Sequence, residues 1–257
     1  MKLLYRNVAI ILSLLVLAAC QSVEVASEEV SKSELVNLQI NPISHATAVL
    51  EWDGAVIYSD PTGGAEAFAG QPSPDIAFVT DVHGDHLNTE TLEAVLGDET
   101  ILVVPQAVQE MLPQDLKGEL VVLANGESTV QKGFSITAIP MYNLPESEDS
   151  RHVKGRGNGY VIEKDGFRLY FSGDTAGIPE MRSLEDIDIA FVCMNLPYTM
   201  DVEEAAEAVL EFKPAKVYPY HYRGQDGLSD VARFKELVNA GDSDIEVVQL
   251  DWYSETE

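Results

Sequence analysis

From about residue 35 onward, the hydrophobic and polar positions alternate between strand-like and helix-like patterns. Residues 47–52 (TAVLEW) and 55–59 (AVIYS) are apolar runs around Asp53-Gly54, a dipeptide that supplies the positive φ angles of a tight hairpin turn. Residues 158–163 and 167–172 repeat the pattern around Asp165-Gly166. Short apolar runs at 74–79, 101–104, 119–123, 188–193, 215–219 and 245–250 predict buried strands. Helices are predicted over 89–96, 105–112, 201–212 and 229–239; the third opens on Asp201, Glu203 and Glu204, the charge sign its dipole favours. Early hairpins followed by strand–helix units predict an α/β fold with sheets covered by helices and functional groups on loops at strand ends.

The first residues follow a different logic. Lys2 and Arg6 precede an apolar run from Val8 to Val16, which ends in Leu17-Ala18-Ala19-Cys20. This resembles a bacterial lipoprotein signal with its lipobox. The run is shorter than the roughly 20 residues needed to span a bilayer. The resemblance implies cleavage after residue 19, lipidation of Cys20, and a protein held on a membrane surface at the periplasmic or cell-surface side. Gln21, unlike aspartate, would not mark inner-membrane retention. Residues 20–34 are polar and acidic and read as a tether, which leaves 35–257 as one folded domain.

Composition narrows the functional classes. With 257 residues, 46% of them hydrophobic, the chain can bury a sizeable core. Its 43 acidic side chains against 16 basic ones give a net charge of −27, a field that repels phosphate backbones, so nucleic acid is excluded as a partner. The only cysteines are Cys20 and Cys193, which excludes a disulfide scaffold, and Cys193 lies in an apolar strand as a core residue.

The five histidines, His45, His83, His86, His152 and His221, all fall at or just beyond strand ends or in the glycine-rich loop before one. Thr80-Asp81-Val82-His83-Gly84-Asp85-His86 packs two imidazoles and two more carboxylates into one short loop. With glycine at 84, these groups can diverge toward two points, a geometry suited to two cations.

Residues 81–86 resemble the His-x-His-x-Asp-His signature of the metallo-β-lactamase fold hydrolases, with Asp81 where the first histidine usually stands. Ser44-His45-Ala46-Thr47, Asp60-Pro61, Ser172-Gly173-Asp174-Thr175 and Pro219-Tyr220-His221-Tyr222 follow the family's order. The chain is most similar to the branch with the ascorbate-phosphate lactonases and N-acyl-phosphatidylethanolamine phospholipase D. The resemblance implies an αββα sandwich with a two-metal cleft on one edge. It assigns His83 to the first metal, Asp85, His86 and His221 to the second, and Asp174 to the bridge. His45 and Asp60 match landmarks outside the ligand set that can orient ligands or motif backbone.

The chain departs from the family at Asp81, an oxygen donor in place of imidazole, and at Ile139-Pro140-Met141-Tyr142-Asn143, where a histidine often follows the proline. His152 is the expected replacement, with Asn143 as an alternative carbonyl ligand. Oxygen donors at Asp81, Asp85 and Asp174 bring manganese or iron into competition with zinc for the two divalent sites.

The implied chemistry is hydrolysis of an ester, lactone or phosphodiester by a hydroxide held between the two metals, with Asp85 orienting the water. His152 or Tyr198 would help hold the developing charge. Arg151, Lys154 and Arg156 crowd a stretch without acids, and Arg223 follows His221, which suggests a small-molecule substrate with an anionic group. The contrasting expectation is a metal- or ligand-binding lipoprotein in which the hydrolase site has decayed.

Overall fold

The computed structural model describes residues 36–253; the expected signal at 1–19, Cys20 and the tether at 20–34 lie outside the described residues. Among the described residues, no helix is long and apolar enough to cross a membrane.

Two sheets carry the architecture. The first has the order β1 (Leu38–Ser44), β2 (Thr47–Trp52), β3 (Ala55–Ser59), β4 (Ile76–Phe78), β5 (Ile101–Val104) and β6 (Glu119–Val122), antiparallel up to β3 and parallel beyond it. The second contains β7 (Ser128–Gln131), β8 (Phe134–Met141), β9 (Gly157–Lys164), β10 (Phe167–Phe171), β11 (Ile189–Cys193), β12 (Lys216–Tyr220) and β15 (Glu246–Val247). Its spatial order is β15-β12-β11-β10-β9-β8-β7, with β10, β11, β12 and β15 parallel. A small hairpin, β13 (Arg223–Gly224) and β14 (Gly227–Leu228), stands apart.

The first sheet buries both faces through a period of two. Ile57, Ile76, Phe78, Ile101 and Val103 face the second sheet's core, while Val56, Tyr58, Ala77, Leu102 and Val104 join the outer cluster. That outer cluster is completed by Phe68, after α1 (Gly64–Ala67), by Leu92 of α2 (Thr89–Val95), and by Val108 of α3 (Gln106–Gln109). Between the sheets, Trp52 meets Phe134 and Phe167 at 5.0 and 5.6 Å, and Phe78 meets Tyr160 and Phe171 at 5.1 and 4.9 Å. Tyr170, one residue out of phase with Phe171, touches Phe212 of α5 (Val202–Phe212) on the far face, at 6.1 Å. Helices thus cover both outer faces, giving an αββα sandwich of the metallo-β-lactamase type. Among the described residues, the remaining helices are α4 (Pro179–Arg182) and α6 (Val231–Gly241).

Both predicted hairpins form, with φ of 50° and 84° at Asp53-Gly54 and 51° and 78° at Asp165-Gly166. A third, β7–β8, turns on Lys132-Gly133 with the same signs. It escaped prediction because lysine is not a usual residue for that turn, although β8 alternates buried and half-buried positions. The edge strand β1 was also missed: Asn41-Pro42 breaks its apolar pattern, and the register shifts between Pro42 and Ser44. The strand expected over 245–250 shortens to Glu246–Val247, and the helix expected over 105–112 to a single turn.

Beneath the loops that carry the histidines, backbone and side chains are pressed together at Gly173. Its φ is +61°, and a Cβ there would lie 2.6 Å from Met141 Sδ. Gly173→Ala combines left-handed backbone strain with overpacking and should destabilise the fold by about 2–4 kcal/mol. Urea unfolding would show this as a lower midpoint at unchanged slope.

Candidate metal centre

The parallel strands of both sheets deliver the polar groups at their carboxyl ends. Asp60 follows β3, the Thr80–His86 loop follows β4, Asp174 follows β10 and His221 follows β12. His45 forms the turn between β1 and β2, and its carbonyl accepts from the His221 N–H at 3.1 Å, tying one sheet to the other. His45, Asp60 and His221 have φ of 50°, 39° and 47°. Each such non-glycine conformation costs roughly 1–2 kcal/mol, and here three of them aim side chains at one place.

The side chains gather into two groups. Asp81, His83 and His152 bring one donor atom each to within 4.8 Å of one another, and Asp85, His86 and His221 do the same. Asp174 lies between the groups. Its Oδ2 is 3.4 Å from His86 Nε2 and 3.3 Å from His152 Nε2, and its Oδ1 is 3.4 Å from His221 Nε2. His221 Nε2 also approaches Asp85 Oδ2 at 3.4 Å.

Partners behind the ring nitrogens orient the imidazoles. Asp60 Oδ2 lies 2.8 Å from His86 Nδ1 and accepts its N–H, which turns Nε2 toward Asp174. Asp60 also accepts from the Thr80 amide and hydroxyl, both at 2.7 Å, so one carboxylate orients both a histidine and the start of the histidine loop. His152 Nδ1 donates to the Tyr198 carbonyl at 3.1 Å, again turning Nε2 inward. Asn143 does not act as the alternative ligand. Its side-chain oxygen accepts from the His152 amide at 2.9 Å and its nitrogen donates to Tyr198 O at 2.8 Å, so the whole amide serves to fix the His152 loop.

The donor set fits divalent cations. His83 Nδ1, His152 Nε2 and Asp174 Oδ1 are buried without hydrogen-bond partners, and His83 Nδ1 sits 2.6 Å from Asp81 Oδ2 outside hydrogen-bond geometry. Converging orphan lone pairs of this kind are costly unless a cation takes them. The electrostatics point the same way. Burial pushes the Asp174 carboxyl up, but the His221 and His86 imidazoles hold it well below the usual range. Burial likewise opposes ionisation of Asp81 and Asp85, yet their imidazole neighbours keep both low. Burial pulls His86 down, and Asp174 and Asp60 overcome it and raise it well above its ordinary value. The gathered carboxylates therefore favour positive charge among them, which raises His86 and would equally favour a dication. Asp60 alone among these acids is raised, because complete burial outweighs the help from His86 and Thr80.

Much of the basic cluster is turned toward the protein itself. The Arg156 fork takes both Asp81 oxygens, Nε to Oδ1 at 3.1 Å and Nη2 to Oδ2 at 3.0 Å. Lys154 sits between Glu146 and Glu180 at 3.2 and 3.1 Å. Arg151 lies over the Tyr198 ring at 4.5 Å, and Arg223 over Tyr253 at 4.2 Å. Cys193 is fully buried and its thiol is pushed up to about 12 by burial, so it remains a core residue. Thr80, the Tyr198 carbonyl and the Asp81–Arg156 pair were not legible in the sequence: the first two serve through hydrogen bonding, and the pair spans 75 positions.

Comparison with known proteins agrees with this geometry. Residues 39–221 match the Beta-lactamase superfamily domain. A UPF0173 metal-dependent hydrolase of Thermococcus onnurineus is 28% identical over 209 residues, covering 78% of this chain and 92% of that protein. A solved structure from Parabacteroides distasonis, assigned as a metal-dependent hydrolase, is 37% identical with a TM-score of 0.74, covering 84% of this chain and 94% of its own. The metallo hydrolase Igni18 of Ignicoccus hospitalis shares the fold at 23% identity and a TM-score of 0.70, over 83% of this chain and 94% of its own. A match across most of the chain and a superposable fold, joined to two gathered donor groups, mean that this chain belongs to the β-lactamase superfamily as a metal-dependent hydrolase of the metallo-β-lactamase fold.

Proposed function

We propose that the protein hydrolyses an ester, lactone or phosphodiester in a small molecule bearing an anionic group, using two divalent ions, zinc or manganese. The observation that carries this reading is Asp174, whose Oδ2 lies between His152 of the first donor group and His86 of the second while its Oδ1 faces His221 of the second. Asp81, His83, His152 and Asp174 would hold one ion, and Asp85, His86, His221 and Asp174 the other. Bound there, the ions would acidify a water molecule and polarise the oxygen of the bond being cut.

The protein's own groups do the positioning. The Asp85 side chain is 39% exposed and lines a hollow with His45, Thr62 and Asn88, where its carboxylate can accept a hydrogen bond from the attacking water and keep that water oriented. His152 lines a second hollow with Asn143 and Lys154; with Nδ1 held by the Tyr198 carbonyl and Nε2 beside Asp174, it would act on developing charge through the ion it helps to hold. Arg151, exposed over Tyr198, is the cation best placed for the anionic group, since Arg156 and Lys154 are engaged by carboxylates. The order of Ser44-His45, Asp60-Pro61 and Ser172-Gly173-Asp174 supports likeness to the ascorbate-phosphate lactonase and phospholipase D branch.

The deciding experiment combines metal analysis of purified protein with a panel of generic esters, lactones and phosphodiesters, assayed after chelation and again with zinc or manganese. Two ions per chain and metal-restored turnover of one bond class are expected. Protein that binds no metal would instead be a decayed, non-hydrolytic relative.

We also propose that Cys20 carries lipid and holds the chain on a membrane surface, as the lipobox-like Leu17-Ala18-Ala19-Cys20 supports. Cys20→Ala should leave the signal uncut or release the protein from membrane fractions, read by fractionation and mass of the mature chain. A processed, membrane-bound Cys20→Ala protein would end this reading.

A further inference from the structure

The two donor groups differ in one respect that bears on how they fill. In the second group the acid, Asp85, faces imidazoles and the hollow, whereas Asp81 of the first group is fully buried and gives both oxygens to Arg156. This guanidinium is built in rather than resting by chance. Arg156 Nη2 donates to the Arg151 carbonyl at 2.6 Å, and its side chain is only 25% exposed. One residue on, Gly157 lies so close to the histidine loop that a Cβ would fall 2.8 Å from Thr80 O, and the Asn158 amide donates to that same oxygen at 2.9 Å. The start of β9 is thereby clamped to the start of the histidine loop, and Arg156 is held opposite Asp81.

We propose that Arg156 is an internal cation that makes the two metal positions unequal: the second position, with Asp85, His86, Asp174 and His221, fills first, and the first fills only against Arg156. The inference rests on the metal-dependent reading above. Its physical basis is twofold. A carboxylate that gives both oxygens to a guanidinium is a poorer donor to a metal, and a dication entering beside it meets a fixed positive charge. Asp81 and Arg156 together also carry no net charge, like the neutral imidazole that the family's first histidine would supply at this position, so the pair replaces a ligand without changing the charge of the centre.

The test is calorimetric titration of chelated, refolded-free native protein with manganese or zinc alone, with ion content measured after dialysis. Wild-type protein should show two classes of site separated by at least ~10-fold in affinity, the scale on which groups contacting a ligand tune a metal site. Arg156→Met should tighten the weaker class by at least ~10-fold and leave the tighter class unchanged. Two equal sites in the wild type, or a weaker class that is unmoved or loosened by Arg156→Met, would overturn the proposal while leaving the metal-dependent reading intact. No binding by wild-type protein would remove that reading itself. Should Arg156→Met fail to fold by circular dichroism, Arg156→Lys keeps the charge but frees one Asp81 oxygen. It should tighten the weaker class by a smaller factor, and no tightening would equally overturn the proposal.

Discussion

Asp174→Ala should abolish turnover and lower metal occupancy at both positions together. The side chain is buried, its oxygens lie 3.3–3.4 Å from nitrogens of His86, His152 and His221, and it faces both groups of donors. Removing it takes a donor from each position and leaves two cations facing each other without the negative charge between them. Loss of a group that merely contacts a ligand costs about 10–100-fold in metal affinity, so losing a shared ligand should cost at least that at each position. Metal analysis and titration of the variant check this directly. Near-wild-type activity with two ions retained would show that Asp174 does not bridge.

Asp60→Ala should be the most destabilising single change near the centre, although Asp60 belongs to neither donor group. Its carboxylate is 1% exposed and accepts from His86 Nδ1 and from the amide and hydroxyl of Thr80. Alanine would leave the buried Thr80 amide without its acceptor, reduce His86 Nδ1 and the Thr80 hydroxyl to each other as partners, and take one of two carboxylates from His86; removing one partner of a buried pair costs about 3–5 kcal/mol. The His86 ring would also lose the bond that selects its tautomer, so affinity at the second position should fall about 10–100-fold while the first is less affected. Asp60→Asn, which keeps an acceptor oxygen, should recover part of the stability. Thermal unfolding with and without metal separates the two effects, and an Asp60→Ala protein of wild-type stability would remove Asp60 from this role.

What the sequence revealed and what it hid follow from the reach of the interactions. Asp53-Gly54 and Asp165-Gly166 announce their hairpins because the turn is chosen by residues that touch only their neighbours. The gathering of His83, Asp85 and His86 is equally local, since one glycine-containing loop carries all three. The position of His152 is not local: it depends on Asn143 holding its amide and on Tyr198, 46 residues later, accepting from its ring. Arg156 shows the limit most clearly. In sequence it joins Arg151 and Lys154 as one basic stretch, but in the structure its guanidinium is turned to an acid 75 residues earlier. Charge runs along a chain do not reveal which charges are already matched across it.

The tie between the His45 carbonyl and the His221 amide joins a turn of the first sheet to a strand end of the second, and Thr80 and Asn158 make a similar tie beside it. Any opening that separates the sheets at this edge must break both ties and scatter the donor groups. Bound ions would then act as a clasp, and the amides of Thr80, Asn158 and His221, bonded at this seam, would exchange with solvent more slowly with ions bound. The ions and the seam would then stabilise each other, so each ion bound would raise the free energy of parting the two halves of the sandwich.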